Sequence, residues 1–327
     1  MTEKIGRLGY LGLAIEATSG SAEATPDIFV PFVENSMRGH HEPQRDIAAR
    51  ASRVADYGAV GGKRWGEGSV KMYLDSINSG YLLKMAFGSE VRTQIGATPP
   101  VHDHLMYPTV SGNAVTSATL WDYKGFDVEQ YTYASVDVLE VEVNTDGIAT
   151  INASIMAKAP STTTAPTPTT TSGTLYTWVN MNVYFGDTVG GALAQSPTKL
   201  KDFKCTISNN LEMNYKSGSQ NPDTITTKQL EVTGSYSLYF ETATDRDRYY
   251  NLTRKSMVVR LTGAGIASGQ TEKLDFVFKK VHLEDIDIET GLDDLFVINC
   301  NFRAVWDQDQ AGYVEATLRN GKATDYV

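Results

Sequence analysis

Two octapeptides on either side of the chain's midpoint share one pattern: GSVKMYLD, residues 68–75, and GSYSLYFE, residues 234–241. Three of the eight positions are identical and three more are similar, and the aligned glycines and tyrosines lie 166 positions apart. Each octapeptide has the apolar and polar mixture of a strand, and each precedes a predicted helix, about Asn78–Phe87 in one case and Thr244–Lys255 in the other. We interpret this recurrence as an internal duplication of a strand–helix–strand unit.

The two helices are predicted from their ends as well as from their apolar residues. Gly88 follows the first helix as a C-terminal stop, whereas Gly80 weakens its first turn. In the second helix Thr244 and Asp247 have the spacing of an N-terminal cap, and Lys255 stands at the negative end of the helix dipole.

The rest of the sequence is typical of short β-strands. Apolar and polar residues alternate over residues 179–185, 274–278 and 296–302, as expected where one face of a strand is buried. Turn signals separate the strands at Thr145-Asp146-Gly147, Ser217-Gly218-Ser219, Gly263-Ala264-Gly265 and Thr290-Gly291. The predicted fold is therefore mainly β, with two tandem β-sandwich or barrel units, each flanked by one short α-helix, and with extended arms and loops.

A Thr/Pro-rich stretch divides the chain almost at its midpoint. Residues 159–172 have no apolar face to bury, which favours a linker or a long exposed loop. The domain boundaries follow from it. They are an N-terminal arm and first strand region over 1–56, a first unit over 57–158, the linker over 159–173 and a second unit over 174–327.

Composition and charge limit the function. The chain has 327 residues, of which 41% are hydrophobic, and its net charge is −10, so it is globular and acidic. Tight nucleic-acid binding over a broad surface needs clustered positive charge, which this composition does not favour. The sequence contains no run of roughly 20 apolar residues, which a membrane-spanning helix requires. The short apolar run Leu8–Ile15 contains two glycines and is flanked by acids, so we do not interpret it as a signal peptide.

Two cysteines are too few for a disulfide scaffold. Cys205 and Cys300 both stand at apolar positions of alternating strands. They are interpreted as buried free thiols, and a disulfide between them stays open at this point.

Three groups of residues are candidate sites. His102 and His104 would share a strand face and so could share a metal ion, but no third or fourth ligand is nearby in sequence, and Pro99, Pro100 and Pro108 favour a loop there. His40-His41 would point in opposite directions and is the weaker pair. The acidic run 284–294 departs from calcium-loop spacing and is typical of a half-exposed strand followed by a turn.

Catalytic motifs are absent from the sequence. It contains no Gly-x-Ser-x-Gly elbow, no Gly-x-x-x-x-Gly-Lys-Ser/Thr loop and no Cys-x-x-Cys pair. The glycine-rich residues 58–68 precede a strand rather than a helix, which favours an arm or turn over a phosphate site. Lys199, Lys201 and Lys204 are explained by a solvated strand edge. We expect a structural or binding protein with no catalytic, metal-binding or cofactor-binding residues.

The order of glycine and turn positions resembles a known family. The matching segments are Gly9-Tyr10-Leu11-Gly12-Leu13-Ala14 with Glu16 and Gly20, then Pro26, Val30-Pro31 and Glu34-Asn35-Ser36, then Arg64-Trp65-Gly66-Glu67-Gly68-Ser69-Val70, Gly80-x-Leu82-Leu83 and Phe87-Gly88, and finally Ser208-Asn209-Asn210 and Val232-Thr233-Gly234-Ser235. Together they resemble the major tail tube proteins of bacteriophages with long, non-contractile tails (siphophages).

The resemblance implies a virion protein of the tail that polymerises into stacked rings around a DNA channel and acts during DNA ejection. Family rings contain six units, so two units per chain imply three chains with pseudo-sixfold symmetry, with six chains as the alternative. The implied partners are further copies, the tape measure protein and the tail terminator and distal tail proteins, with DNA passing without tight binding and no membrane involved. Assembly is expected in the host cytoplasm.

Two segments of this chain are assigned to that assembly. Residues 30–53 are expected to make contacts between rings, and residues 159–172 to lie on the outer surface. The alternatives are another virion β-protein of the neck, baseplate or decoration type, or a metal-dependent enzyme that uses His102 and His104.

Overall fold

The computed structural model describes residues 5–112, 116–267, 269–289 and 295–327. The strands of the N-terminal half are β1 Tyr10–Ile15, β2 Ile28–Val30, β3 Phe32–Asn35, β4 Arg38–His41, β5 Gln44–Arg45, β6 Ala59–Val60, β7 Arg64–Tyr73, β8 Gly88–Ala97, β9 Pro100–Pro108, β10 Ala118–Tyr123, β11 Val128–Val143, β12 Thr150–Ala157 and β13 Ser161–Thr163. Those of the C-terminal half are β14 Met181–Gly186, β15 Asp202–Ser208, β16 Leu211–Asn214, β17 Thr224–Thr227, β18 Glu231–Tyr239, β19 Lys255–Ala267, β20 Gln270–Glu289, β21 Val297–Val305 and β22 Val314–Asn320.

Within the described residues the helices are few and short. They are α1 Ser79–Phe87, α2 Val189–Leu193 and α3 Thr244–Tyr250, with single 3₁₀ turns at Gly6–Leu8 and Trp178–Asn180. The prediction of a mainly β fold is confirmed.

In the N-terminal half, the strand before α1 is the centre of an antiparallel sheet. β7 pairs on one side with β3 and β4 and on the other with β12, which pairs in turn with the second part of β11. The first part of β11 pairs with β10 and with β13, and β10 pairs with β1. The long strand β11 therefore links two layers, and the alternating apolar residues of both layers face each other across the core.

In the C-terminal half, the strand before α3 occupies the corresponding position. β18 pairs on one side with β15 and on the other with β21, which pairs with the second part of β20. The first part of β20 pairs with β19 and with β22, and β19 pairs with β14. The predicted alternation at Leu274, Phe276 and Phe278 lies in this first part, and all three side chains are buried.

Two antiparallel ladders join the two halves, one between β9 and β22 and the other between β11 and β15. The large apolar cluster of the chain crosses the β11–β15 ladder, since it contains Leu139 and Ile151 from one half and Phe203 and Phe302 from the other. The ring of Phe302 packs against those of Phe203 and Phe278, with centroids 6.3 and 5.4 Å away. The halves are thus continuous in sheet and in core.

The first predicted helix is confirmed almost to the residue, and the second is shorter than predicted. Gly88 ends α1 with a φ of 90°, as expected for a C-terminal glycine. α3 ends at Tyr250, and Lys255 is the first residue of β19 rather than the last of a helix. Leu252 has a φ of 51°, so the chain turns sharply between the two elements. Thr244 is the first residue of α3 and not its cap.

Sequence patterns missed or misplaced several other elements. α2 was not predicted; its N-terminus is capped by Thr188, whose Oγ1 accepts a hydrogen bond from the Gly191 amide at 3.0 Å. Residues 263–265 were predicted as a turn but lie within β19, where the register with β20 is irregular. The predicted turn at Thr290-Gly291 lies outside the described residues. Within the Thr/Pro-rich stretch, β13 pairs with β11, and residues 164–172 have no regular structure.

Candidate assembly surfaces

The two halves share one pairing register. Gly68 pairs with Ile155 and Tyr73 with Thr150, while in the other half Gly234 pairs with Phe302 and Tyr239 with Val297. Positions on the first strand are thus 166 apart between halves, and positions on its partner are 147 apart throughout the ladder. The next ladders, β11 with β12 and β20 with β21, also correspond at 147 positions.

A β-bulge falls at the same place in both halves. In the ladder with β12, Asp137 is the extra residue between Val136 and Val138. In the ladder with β21, Glu284 is the extra residue between Leu283 and Asp285. Asp137 and Glu284 are also 147 positions apart. Bulges are local, position-specific features of a ladder, so two unrelated sheets would have no reason to share one.

The β11–β15 ladder between the halves has an apolar face and a charged face. Leu139 is paired with Ile207 and Val141 with Cys205, and all four side chains are buried. On the opposite face the Lys204 ammonium lies 3.1 Å from a carboxylate oxygen of Glu140. The predicted basic cluster is therefore split, with Lys204 paired across this ladder and Lys199 donating to the Asn182 side chain at 2.6 Å.

Polar contacts extend the joint beyond the last strand pair. The Asn209 side-chain amide donates to the carbonyls of Ala86 and Val136 at 3.0 and 2.9 Å. The Leu211 amide donates to the Asp137 carboxylate at 2.7 Å. The bulge residue of one half thus binds the chain that leaves the joining strand of the other, so the two halves are held in one orientation.

Two β-hairpins project from corresponding connections, between β4 and β7 and between β15 and β18. The first is built on β5 and β6 and the second on β16 and β17. They touch where the Arg64 amide donates to the Gln220 carbonyl at 2.8 Å and where the Lys63 ammonium lies 4.8 Å from the centre of the Tyr215 ring. The first hairpin exposes Ile47 and Val54, at 74% and 56% of their surface.

The segment predicted to be an arm, residues 30–53, is only partly one. Residues 32–35 and 38–41 form β3 and β4 and pair with β7. The chain leaves the sheet after His41, and residues 46–58 are without strand pairs. The glycine-rich residues 58–63 lie at the end of the hairpin on β5 and β6, and β7 begins at Arg64, so the predicted arm or turn is found there.

The histidine pair lies in a strand, not in the loop that the prolines favoured. Pro100 and Pro108 are the first and last residues of β9, where a missing N–H is tolerated. His104 is buried; its Nδ1 lies 2.7 Å from a Glu90 carboxylate oxygen and its Nε2 lies 3.1 Å from the Lys322 carbonyl oxygen. The other Glu90 oxygen accepts from the Tyr326 amide at 2.9 Å. His104 thus fixes the segment 321–327.

His102 is buried beside it without taking part in that network. The two imidazole centroids are 6.4 Å apart, and His102 Nδ1 has no hydrogen-bond partner. Burial, with smaller effects from Arg92 and His104, lowers the pKa of His102. No group of three or more His, Cys, Asp or Glu side chains in the described part of the chain is arranged to hold a metal ion.

The two cysteines are buried and free, one in β15 and the other in β21. Burial raises the pKa of each thiol to about 12, with a smaller effect of Asp245 on Cys300. The interpretation of both as small apolar core residues is confirmed.

The acidic run enters the structure as the end of β20. Asp285 and Asp287 are exposed, while Ile286 and Ile288 are half-buried and pack against the core. The predicted half-exposed strand is confirmed over 284–289, and residues 290–294 lie outside the described residues.

One buried carboxylate had no sequence signal beyond its place in a motif. Glu16 is 7% exposed and accepts four hydrogen bonds, from the hydroxyls of Ser117 and Thr119 at 2.6 and 3.0 Å and from the amides of Tyr133 and Gly20 at 2.8 and 2.6 Å. The donors come from the loop after β1, from Ser117 immediately before β10 and Thr119 within it, and from Tyr133 in β11, so Glu16 ties the end of β1 to β10 and β11.

Comparison with known protein families identifies a family that covers most of the chain. A family model described as phage tail tube protein matches residues 6–304, which is most of the chain and extends over most of both halves. No curated protein matches the chain. In the described residues, no helix is long and apolar enough to cross a membrane.

Proposed function

The chain belongs to the phage tail tube protein family, and on that premise we propose that it forms stacked rings whose lumen conducts the genome during ejection. The family is structural rather than enzymatic, and its members are virion tail components that assemble with themselves and with other tail proteins. The observation that carries the ring proposal is the β11–β15 ladder, in which one half of the chain already joins the other edge to edge.

Three chains per ring follow from the shared register of the two halves. If each half is one tube unit, the 166- and 147-position correspondences and the common bulge make the chain a tandem duplicate. Six units then need three chains, and the ring has pseudo-sixfold symmetry. Closed rings of this kind also remove free sheet edges, which otherwise favour aggregation.

The polar face of the joined sheet is the proposed lumen wall. Along β7, β12, β18 and β21 many of the residues that alternate with the core are short and polar, namely Ser69, Asn152, Ser154, Thr233, Ser235, Asn299 and Asn301, and the charged Lys71 stands among them. Such a surface is wetted without offering clustered positive charge, and the chain's net charge of −10 disfavours tight contact with phosphates. DNA would therefore slide through rather than bind.

The hairpins on β5–β6 and β16–β17 are the proposed contacts between rings. They lie side by side in the chain, and the first exposes apolar side chains at its tip. The segment 164–172 would lie on the outer surface. The tail terminator, distal tail and tape measure proteins are the proposed partners at the tube ends and in the lumen, in a long non-contractile tail assembled in the host cytoplasm.

Electron microscopy of the purified chain at high concentration tests the proposal. Hollow tubes built from rings of three chains are expected, and native mass measurement of detached rings gives the count. Rings of six chains would reject the duplication. A chain that stays monomeric, or forms a single ring without stacking, would favour a neck, baseplate or decoration protein instead.

A variant tests the hairpin assignment separately. Replacing residues 46–57 by a short Gly-Ser linker removes the tip of the first hairpin and leaves β4 and β7 intact. Rings without stacks are expected. The control shortens the exposed segment 165–169, which should leave tubes unchanged; normal tubes from both variants would rule the first hairpin out as the stacking contact.

A further inference from the structure

Several strand edges are unpaired among the described residues, and two of them correspond to the two strands that form the β11–β15 joint between the halves. β11 has β12 on one side of its second part and β15 on the other, whereas residues 285–289 of β20 have only β21. β15 has both β18 and β11, whereas β3 and β4 have only β7. Each half therefore lacks one partner that its counterpart has.

We propose that residues 285–289 of one chain pair antiparallel with residues 36–40 of a second copy of the chain, in the register of the β11–β15 ladder. This inference rests on the proposed function and specifies its joint. Positions in β11 and β20 correspond at an offset of 147. Positions in β3 and β4 correspond to those in β15 at an offset of 168. This second offset follows from the ladders, because Thr206 pairs with Thr233 and Arg38 pairs with Glu67, and Thr233 and Glu67 are 166 positions apart. The pairing Glu140–Thr206 thus becomes Asp287–Arg38 between chains, with Asp285 opposite His40 and Ile288 opposite Met37.

The chemistry of the two edges matches on the exposed face. Asp287 and Asp285 are exposed on one edge, and Arg38 is exposed and His40 half-buried on the other. Within the chain, neither Asp287 nor Asp285 forms an ion pair with a described residue. In the proposed register Asp287 lies directly opposite Arg38, where opposite charges stabilise an antiparallel pair. A shift by one residue would instead place Arg38 opposite Ile286 or Ile288.

The apolar face matches as well. Ile286 and Ile288 occupy the places of Leu139 and Val141, which are fully buried, yet the two isoleucines are only half-buried. Opposite them would stand Gly39 and Met37. Pairing would cover the isoleucines as β15 covers Leu139 and Val141. The missing partner strand thus explains why the two isoleucines are half-buried in the single chain, and we expect them to be buried in the assembly.

The backbone of the β3–β4 edge is oriented for this contact. The Ser36 amide donates to the Ser69 carbonyl of β7 at 2.9 Å. In an antiparallel ladder the main-chain groups of the next residue, Met37, then point away from β7. They are held by side chains only, the amide by Asn35 Oδ1 at 3.0 Å and the carbonyl by the Lys124 ammonium. A second strand can replace both partners.

The interchain joint is expected to differ from the internal one at one point. Leu211 donates its amide to Asp137, but Pro43 stands 168 positions earlier and has no N–H. The corresponding carboxylate, Glu284, binds Arg303 instead, at 2.5 Å. The paired segment therefore ends near His41, where the chain turns into the first hairpin.

A cysteine pair tests the register directly. With Met37 in a hydrogen-bonded pair, Arg38 and Asp287 form a non-hydrogen-bonded pair, in which Cα atoms lie about 4.5 Å apart and a disulfide fits. We expect the variant carrying R38C and D287C to form covalent oligomers under mild oxidation, ending at the ring size. R38C alone, D287C alone, and R38C with D285C, whose residues are diagonal at about 7–8 Å, should form few or none.

Charge reversal gives a second readout. R38D and D287R are each expected to raise the protein concentration needed for polymerisation about tenfold, because like charges then face each other at every joint. The double variant should restore it. D127R, a reversal at an exposed site in the turn between β10 and β11, is the control and should assemble as the unmodified chain does.

The outcomes separate this pairing from the proposed function. Tubes that form with no R38C–D287C crosslink, or that are indifferent to charge reversal, would overturn the pairing and leave the tube function standing. Crosslinked closed oligomers that never stack into tubes would support the pairing and count against the function.

Discussion

At the scale of single residues, Gly80 shows why a helix can need the residue that weakens it. A Cβ atom at Gly80 would lie 2.1 Å from Cζ of Tyr326, whose hydroxyl donates to the Ile77 carbonyl at 3.0 Å and accepts from Asn320 at 2.8 Å. The ring is thereby fixed against α1. The helix tolerates a glycine because a side chain there would displace the tyrosine.

The variant Gly80→Ala is therefore expected to destabilise the chain. Overpacking against a fixed ring costs about 2–3 kcal/mol, and alanine recovers about 1 kcal/mol of helix propensity, so a net loss of about 1–2 kcal/mol follows. Chemical denaturation measures it. Gly190→Ala in α2 is the control, because nothing lies within 4 Å of its added Cβ; similar effects of both variants would contradict the packing argument.

The carboxylate of Glu16 gives a second residue-scale prediction. Glu16 is the acceptor in all four of its hydrogen bonds, and two of the donors are backbone amides, which cannot act as acceptors instead. Glu16→Gln keeps the shape but turns one oxygen into a donor facing donors, which should cost about 2–3 kcal/mol of unfolding free energy. The exposed Glu34→Gln is the control and should change stability by less than about 0.5 kcal/mol. An unchanged unfolding free energy in Glu16→Gln would contradict this and would show that water accepts the hydrogen bonds that the glutamine amide group cannot.

The buried thiols predict both a reactivity and a pH dependence. With each pKa raised to about 12 by burial, Cys205 and Cys300 should resist an aromatic disulfide reagent at pH 8 in the folded chain and react within minutes after unfolding. A single exposed cysteine at position 38 provides the reactive control. Fast labelling of the unmodified folded chain would mean that β15 or β21 opens readily.

The sign of the pH effect follows from the direction of the shift. The thiols ionise in the unfolded chain near their ordinary value of 9.0 and in the folded chain near 12. Their contribution to stability is complete below about pH 9 and is lost as pH rises towards 12. Replacing Cys205 by Val should flatten the decline in unfolding free energy between pH 9 and 11.

At the scale of elements, the sequence predicts a helix or strand correctly where a single local pattern determines it. Alternation at Leu274, Phe276 and Phe278 predicts a strand because one face is buried and the other is not. α1 is predicted because Gly88 marks its end. α3 is overextended because the polar residues after Tyr250 carry no strong stop, and the turn at Leu252 is formed by a residue that rarely adopts positive φ.

The prolines around residues 99–108 favour a loop in the sequence, but Pro100 and Pro108 stand at the two ends of strand β9, where they do not interrupt its pairing. Their position is decided by the pairing of β9 with β8 and β22, which are distant in sequence from each other. The same long-range contacts create the His104–Glu90 network and the unpaired edges of β4 and β20. Local sequence cannot indicate which strand edges stay unpaired, because that depends on how many neighbouring strands each strand has in the folded sheet.

The His104 network predicts a local effect. His104→Ala removes the imidazole between Glu90 and the Lys322 carbonyl, so segment 321–327 should open about 2 kcal/mol more easily and exchange its amide hydrogens roughly 30-fold faster. Hydrogen–deuterium exchange by mass spectrometry measures this. His41→Ala, at an exposed residue, is the control. Unchanged protection of 321–327 would show that Tyr326 packing alone retains the segment.

At the scale of the whole molecule, one hairpin explains why the repeat is visible in only eight residues. The halves correspond at 166 positions before the helix and at 147 after it, and the N-terminal half has the β8–β9 hairpin between α1 and β10. A comparison at constant offset therefore loses the match after α1. Register, unlike residue identity, survives because a slip of one residue would turn every core side chain to the other face.

The continuous core predicts that the covalent connection between the halves is dispensable once the chain is folded. Residues 166–169 are without strand pairs, whereas the halves share the β11–β15 and β9–β22 ladders and one apolar cluster. A protease site inserted there and cleaved after folding should leave one particle in gel filtration and native mass spectrometry, which separates into two fragments only in denaturant. An uncleaved sample with the same insertion is the control. Fragments that part under native conditions would show that the two ladders together are too weak to hold the halves, and would count equally against a joint between chains that copies the β11–β15 ladder alone.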